Sequence, residues 1–295
     1  MLLLNDLIRI PIEETVSELT GHSWTVQSIQ DMKDYASHPA AILSNKGYSV
    51  FAKFSSAANG LEQFEIELAG LQHLSRLSGV ATPTPIGIIP VEGGHVLVQE
   101  AVPSVERTSA HWREIGRSLA KIHQVKGTRY GWESHCYFGP LYQDNRPMDD
   151  WAVFYAERRI WPRFMGAINA GQLPTDVIRL VEKLISRLPD LCGPNVEPAL
   201  LHGDSQKNNF VSAENATYVI DPAVYFGNPE IDLAYVDYFE PVPEDVFHGY
   251  REILPIDPDF HERRDLWRVY GYLAAVEVEG MMHLDKLINA VKNFL

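Results

Sequence analysis

A histidine, a glycine and an aspartate stand together at His202-Gly203-Asp204. An asparagine, Asn209, follows five residues after the aspartate, and a second aspartate comes twelve residues later in Ile220-Asp221-Pro222. A carboxylate, a carboxamide and a second carboxylate in this order can build a magnesium-dependent phosphoryl-transfer site. Asp204 would orient an attacking hydroxyl and receive its proton, as the catalytic residue. Asn209 and Asp221 supply hard oxygen ligands, which magnesium bridging nucleotide phosphates requires. His-Gly-Asp by itself carries little weight, because an aspartate in a turn often only accepts local backbone hydrogen bonds.

The elements around the motif must therefore position partners for it. Ala41-Ile42-Leu43-Ser44 and Tyr48-Ser49-Val50-Phe51-Ala52-Lys53-Phe54 flank the turn residues Asn45-Lys46-Gly47, which predicts a hairpin. Leu61, Phe64, Leu68, Leu71 and Leu74 recur at helical spacing over roughly 60–78, ended by Gly79 with Pro83 and Pro85 beyond. Two further strands are expected around Gly93-Gly94, over Ile86 to Ile89 and His95 to Gln99. After Pro103 the character turns helical, with Trp112, Ile115, Leu119 and Ile122 on one face. Asp149 and Asp150 read as the cap of a second helix, and a third is expected from about Asp176 to Leu188. Short β-like stretches precede His202 and Asp221, and helices close the chain, the last carrying Met281, Leu284, Leu287, Ile288 and Val291.

A small β-rich lobe (1–103, nucleotide-binding) followed by a larger, mainly helical lobe (104–295, catalytic and substrate-binding) is the α+β, bilobal arrangement of protein-kinase-like folds. The hinge is expected near Glu100 to Ser104. In that frame Lys53, near the end of a strand, would reach the α- and β-phosphates of ATP. Glu67, on the following helix, would pair with it. Glu65 is the alternative partner, but it lies about 160° away around the helix, so only one of the two can face the cleft. Main-chain groups of Glu100 and Val102, in Gln99-Glu100-Ala101-Val102, are candidates to read the adenine edge. Asp232, in Glu230-Ile231-Asp232, would cap a helix and tether the catalytic loop. The segment expected to cover the phosphates, Ile29 to His38, contains no glycine, so Ser37 or backbone amides would have to serve as donors.

Composition narrows the partners. A net charge of −14 argues against a nucleic-acid or anionic-membrane surface, and no apolar run approaches a membrane span. Met1 to Leu4 is interrupted at Asp6 and lacks the basic flank of a signal peptide. Cys136 and Cys192 have no metal-type spacing and read as two reduced thiols. A cytoplasmic monomer or homodimer is the expectation, with ATP and a small molecule as its ligands.

The sequence resembles the fructosamine-3-kinase and ketosamine-kinase family, within the aminoglycoside-phosphotransferase-like, protein-kinase-like superfamily. The segments that carry the resemblance run from about residue 50 to 280. They are Phe138-Gly139-Pro140-Leu141, Asp149-Asp150-Trp151 to Arg159, Pro198 to Asp204, Ile220-Asp221-Pro222-Ala223 to Gly227, and Phe247 to Leu273. The resemblance implies phosphorylation of a sugar hydroxyl of ketosamines with ATP and Mg2+. It gives Asp204 the role of base, Asn209 and Asp221 the metal, and Lys53 with Glu67 the phosphates. Two departures bear on the acceptor. The family's loop typically reads His-Gly-Asp-Leu-Trp-Ser-Gly-Asn, whereas Gln206 stands here in place of the tryptophan. Ala274 to Glu279 replaces a more polar segment, so Glu277 or Glu279 would either be exposed or face the cleft and meet a cationic amine. A kinase for another amine-bearing alcohol or aminosugar, or a non-catalytic nucleotide-binding module, are the alternatives.

Overall fold

The chain opens on a helix, α1 (Asp6–Thr20), capped by Asn5, whose side chain accepts from the Leu7 amide at 3.1 Å. In the computed structural model, residue 3, residues 5–32 and residues 38–295 are described. Five strands follow: β1 (Ser28–Asp31), β2 (Ala40–Asn45), β3 (Tyr48–Ser55), β4 (Pro85–Val91) and β5 (Gly94–Glu100). They form one antiparallel sheet in the order β1-β2-β3-β5-β4, with α2 (Gly60–Ser78) inserted between β3 and β4. The expected hairpin, helix and strand pair are all present; α1 and β1 add to them.

Strand alternation gives the sheet two faces. Val50, Ala52 and Phe54 of β3 join Val96 and Val98 of β5 in a core completed by Ile8, Ile12 and Val16 of α1. The opposite parity puts Lys53 on the other face, and there α2 presents Phe64, Glu67, Leu71 and Leu74 at spacings of three, four and three. A carboxylate in a buried stripe demands a cation. Glu65 sits off that stripe and is exposed.

The rest of the chain builds a larger core. It comprises α3 (Ser109–His123), β6 (Cys136–Phe138), β7 (Leu141–Gln143), α4 (Trp151–Phe154), α5 (Trp161–Asn169), α6 (Thr175–Leu191), β8 (Ala199–Leu201), β9 (Phe210–Ser212), β10 (Thr217–Val219), β11 (Tyr225–Gly227), α7 (Glu230–Tyr235), α8 (Asp245–Arg251), α9 (Phe260–Glu279) and α10 (Leu284–Lys292). The Asp150 side chain caps α4 by accepting from the Val153 amide at 2.9 Å, as expected. Between α4 and α5 the helix widens to i→i+5 spacing over Tyr155–Ile160. That extra residue turns Arg159 inward. Its guanidinium lies 4.0 Å from the Tyr225 ring and donates to Asn145 Oδ1 at 2.6 Å, bracing the β6–β7 hairpin.

Two expectations need correction. Asp232 is the third residue of α7 and caps nothing; Asn228 accepts from the Glu230 amide instead. The final helix starts at Leu284, and Met281, which the periodicity placed on its core face, lies in a preceding tight turn and is 59% exposed.

Candidate active site

Local bonding explains why residues separated in sequence meet. β9 and β10 form a hairpin in which Val219 opposes Phe210, and the ladder's next bond runs from the Ile220 amide to the Asn209 carbonyl at 3.0 Å. Asn209 and Asp221 are therefore brought to the same end of one hairpin, which is the physical content of their twelve-residue spacing. Asp221 leaves the strand with φ +50°, the one non-glycine with positive φ among the described residues. Aspartate tolerates this left-handed conformation better than most side chains.

The loop carrying Asp204 is held from behind. The Asp232 carboxylate accepts from the His202 amide at 2.7 Å and from the Gly203 amide at 3.0 Å. Bonds to a charged acceptor contribute about 2 kcal/mol each. His123, at the end of α3, bridges Asp232 (3.0 Å) and the Tyr250 hydroxyl (2.9 Å) through its two ring nitrogens. Asp232 thus tethers the loop, as expected, though from inside α7. Gly203 has φ +80°, and a Cβ there would stand 2.0 Å from the Ala223 carbonyl, so no other residue fits without moving backbone. Burial lowers the His202 pKa. The neutral ring donates from Nε2 to the Ile220 carbonyl (3.0 Å) and accepts the Asp204 amide on Nδ1 (3.2 Å).

Five of the residues singled out in the sequence line one cavity of about 450 Å³: Lys53, Glu67, Asp204, Asn209 and Asp221. The volume is that of a small-molecule site. Lys53, 3% exposed, donates to both Glu67 oxygens at 2.7 and 2.8 Å and to Asp221 Oδ1 at 2.8 Å. One ammonium thus serves two carboxylates. Burial opposes its charge, but Asp221 and Glu67 outweigh that and raise the Lys53 pKa. Burial also opposes ionisation of Asp221, yet Lys53 holds its pKa down, whereas burial together with the Asp221 charge pushes Glu67 up. Asp204 is pushed up to about 7, by burial first and by the Asp221 charge second. A carboxylate of that basicity suits proton acceptance near neutral pH. Gln206 Nε2 stands 3.4 Å from both Asp204 oxygens.

The donor set fits a magnesium ion. Asn209 commits its Nδ2 to the Asp204 carbonyl at 2.7 Å, which leaves the amide oxygen as its hard donor, and Asp221 adds a carboxylate. No group of three or more His, Cys, Asp or Glu able to hold a metal occurs among the described residues. Two protein oxygens, with phosphate and water completing the shell, is the usual pattern for this ion.

Glu100 and Val102 are not among the residues lining this cavity. The Glu100 amide donates to the Thr84 carbonyl (2.9 Å) at the end of β5. Of the segment 29–38, Ile29 to Asp31 belong to β1, while residues 33–37, Ser37 included, lie outside the described residues. Glu277 does not reach the cavity; it pairs with Arg163 at 3.0 Å, and Glu279 lines the cavity instead.

Other contributors carried little signal in the sequence. Arg107, in the connector before α3, stacks on Trp112 at 4.7 Å and donates to the carbonyls of Lys207 (2.9 Å) and Phe210, on either side of Asn209. A lone arginine in a loop announces none of this. Tyr137, Tyr238 and Phe239 line the same cavity from segments remote in sequence from the motif, and Leu141 joins them from the Phe138 to Leu141 segment.

The family model for fructosamine kinase matches residues 10–295. The chain belongs to the fructosamine kinase family. It is with that family a phosphotransferase. Mouse ketosamine-3-kinase is 27% identical over 271 residues, covering 83% of this chain and 87% of the mouse protein. The crystal structure of a candidate fructosamine-3-kinase from Thermobifida fusca superposes with a TM-score of 0.82 at 28% identity, over 96% of this chain and 97% of that one. The choline kinase of Streptococcus pneumoniae, at 17% identity and a TM-score of 0.60 over 96% of each chain, shares the fold alone. The protein-kinase-like fold and the family expected from the motifs are both shown. No helix among the described residues is long and apolar enough to cross a membrane.

Proposed function

We propose that the chain phosphorylates a sugar hydroxyl of a ketosamine, with ATP as donor and magnesium as the metal. One observation carries this reading: Lys53, Asp204, Asn209 and Asp221, drawn from both cores of the molecule, line a single cavity large enough for an acceptor beside a phosphate chain. Lys53, fixed by Glu67, contacts the phosphates of the donor; Asp204 receives the hydroxyl proton as the acceptor oxygen attacks the γ-phosphorus, whose bond to the β–γ bridging oxygen breaks to release ADP. Asn209 and Asp221 would hold magnesium, which would supply neutralisation of charge on the phosphates. The main-chain groups of Glu100 and Val102 read the base. The cytoplasm, where ATP is available, is the setting this reading requires.

The ketosamine as acceptor is supported by family membership and by the aromatic and carboxylate lining contributed by Tyr137, Phe239 and Glu279. Incubation of the purified protein with Mg-ATP and a fructosyl-lysine model compound tests it. ADP release together with phosphate on the sugar is the expected result, abolished by EDTA. Turnover of choline-like alcohols or aminosugars with none of the ketosamine would overturn the acceptor assignment. Failure of Mg-ADP to raise the melting temperature would overturn the nucleotide assignment.

A further inference from the structure

Gln99 lies on β5 opposite Phe51 of β3, two residues along from the Leu97–Lys53 pair. Equal parity puts its side chain on the same face of the sheet as Lys53. It stands about 7 Å farther along the strand than the lysine, toward the connector at 101–108. The residue is 4% exposed, and its Nε2 has no hydrogen-bond partner. A buried amide donor left unpaired is disfavoured, and a leucine or methionine would fill the same space without that penalty. A glutamine here makes sense if the face it shares with Lys53 receives a group with polar edges.

We propose that Gln99 reads the substituent at the 6-position of the donor's purine ring, so that the chain uses GTP as well as ATP; this rests on the nucleotide-dependent kinase reading above. The amide oxygen can accept from a 6-amino group, and the amide nitrogen can donate to a 6-oxo group. A half-turn of the terminal torsion exchanges the two, and that torsion is soft. Glutamine therefore rejects neither purine. An apolar side chain at the same place would leave the guanine oxygen buried and unpaired, which is the kind of mismatch that enzymes discriminate strongly.

The test compares Mg-ATP with Mg-GTP as donors to one acceptor, in the wild type, Gln99→Leu and Gln99→Met. Thermal shifts with Mg-ADP and Mg-GDP are measured in parallel without acceptor. In the wild type, kcat/KM for GTP should lie within about thirtyfold of that for ATP, and Gln99→Leu should lower it at least tenfold while moving ATP less than about threefold. Gln99→Met should behave like Gln99→Leu, which separates loss of the amide from a packing defect of either variant. A wider wild-type gap, or a GTP/ATP ratio unchanged in both variants, overturns the inference. Stabilisation by ADP without GDP sinks it and leaves the ATP assignment standing; stabilisation by neither sinks both.

Discussion

One set of side chains lining the cavity is charged and fixed by contacts from several directions, while another is mainly aromatic or aliphatic. Lys53 is in contact with both Glu67 and Asp221, and Asp204 sits on a loop whose amides are tied to Asp232. In the second set, Tyr137, Leu141 and Phe239 are only partly buried, Val278 is exposed, and Glu279 keeps 53% of its side chain accessible. The charged end is over-determined: moving one member of the Lys53, Glu67 and Asp221 cluster leaves another charge short of its counter-ion. The acceptor end has no such interlock, so its residues can change with the substrate. The two ends should respond to mutation by different amounts and in different kinetic constants.

The largest effect belongs to Asp204. Asp204→Ala should lower kcat by about 10³-fold, the scale of a lost general base, with the melting temperature nearly unchanged. Full turnover by this variant would remove Asp204 from the chemistry. Lys53→Met comes next. It leaves Glu67 and Asp221 as partly buried neighbouring carboxyl groups with no cation between them, so a loss of about 10²-fold in kcat/KM for ATP should be accompanied by a fall in melting temperature. Loss of stability with normal kinetics would make the triad structural only. Arg107→Ala should cost about tenfold in kcat and raise the magnesium concentration needed for half-maximal rate, because it frees the carbonyls bracketing Asn209. Arg107→Lys keeps the charge but not the forked geometry and should restore only part of the rate. An unaltered magnesium requirement in both variants would break the link between the connector and Asn209.

The same contrast governs how much could be read from the sequence. The charged end was partly legible because Lys53 falls on the predicted hairpin and Glu67 on the predicted helix that follows it, both set by local periodicity or a turn. The stripe that selects Glu67 over Glu65 and the hairpin register that brings Asn209 to Asp221 emerge only in the fold. Asp232 was placed correctly as a tether but not within its helix, since hydrogen bonds thirty residues apart have no local signature. The acceptor wall draws on the β6–β7 hairpin, the turn after α7 and α9, and depends on a widened helical turn that aims Arg159 at Asn145. No periodicity encodes that. Glu277 and Glu279, two residues apart, were indistinguishable until Arg163 claimed the first.

Glu279 should therefore show the smallest effect, and the most diagnostic one for the acceptor end. It lines the cavity, sits half in solvent and already contacts His283 Nε2 at 2.5 Å. An exposed ion pair contributes at most about 1 kcal/mol, so Glu279→Gln should raise the KM for a cationic ketosamine roughly threefold with kcat unchanged. The shift should shrink as ionic strength rises, since solvent-exposed charges are screened, and should vanish for a ketosamine whose amine is acylated and neutral. An equal rise in KM for the neutral and the cationic acceptor would mean that Glu279 shapes the wall through His283 rather than through its charge. A fall in kcat would place it closer to the reacting atoms than the cavity wall suggests, and the division between a locked and an adaptable end would then run elsewhere.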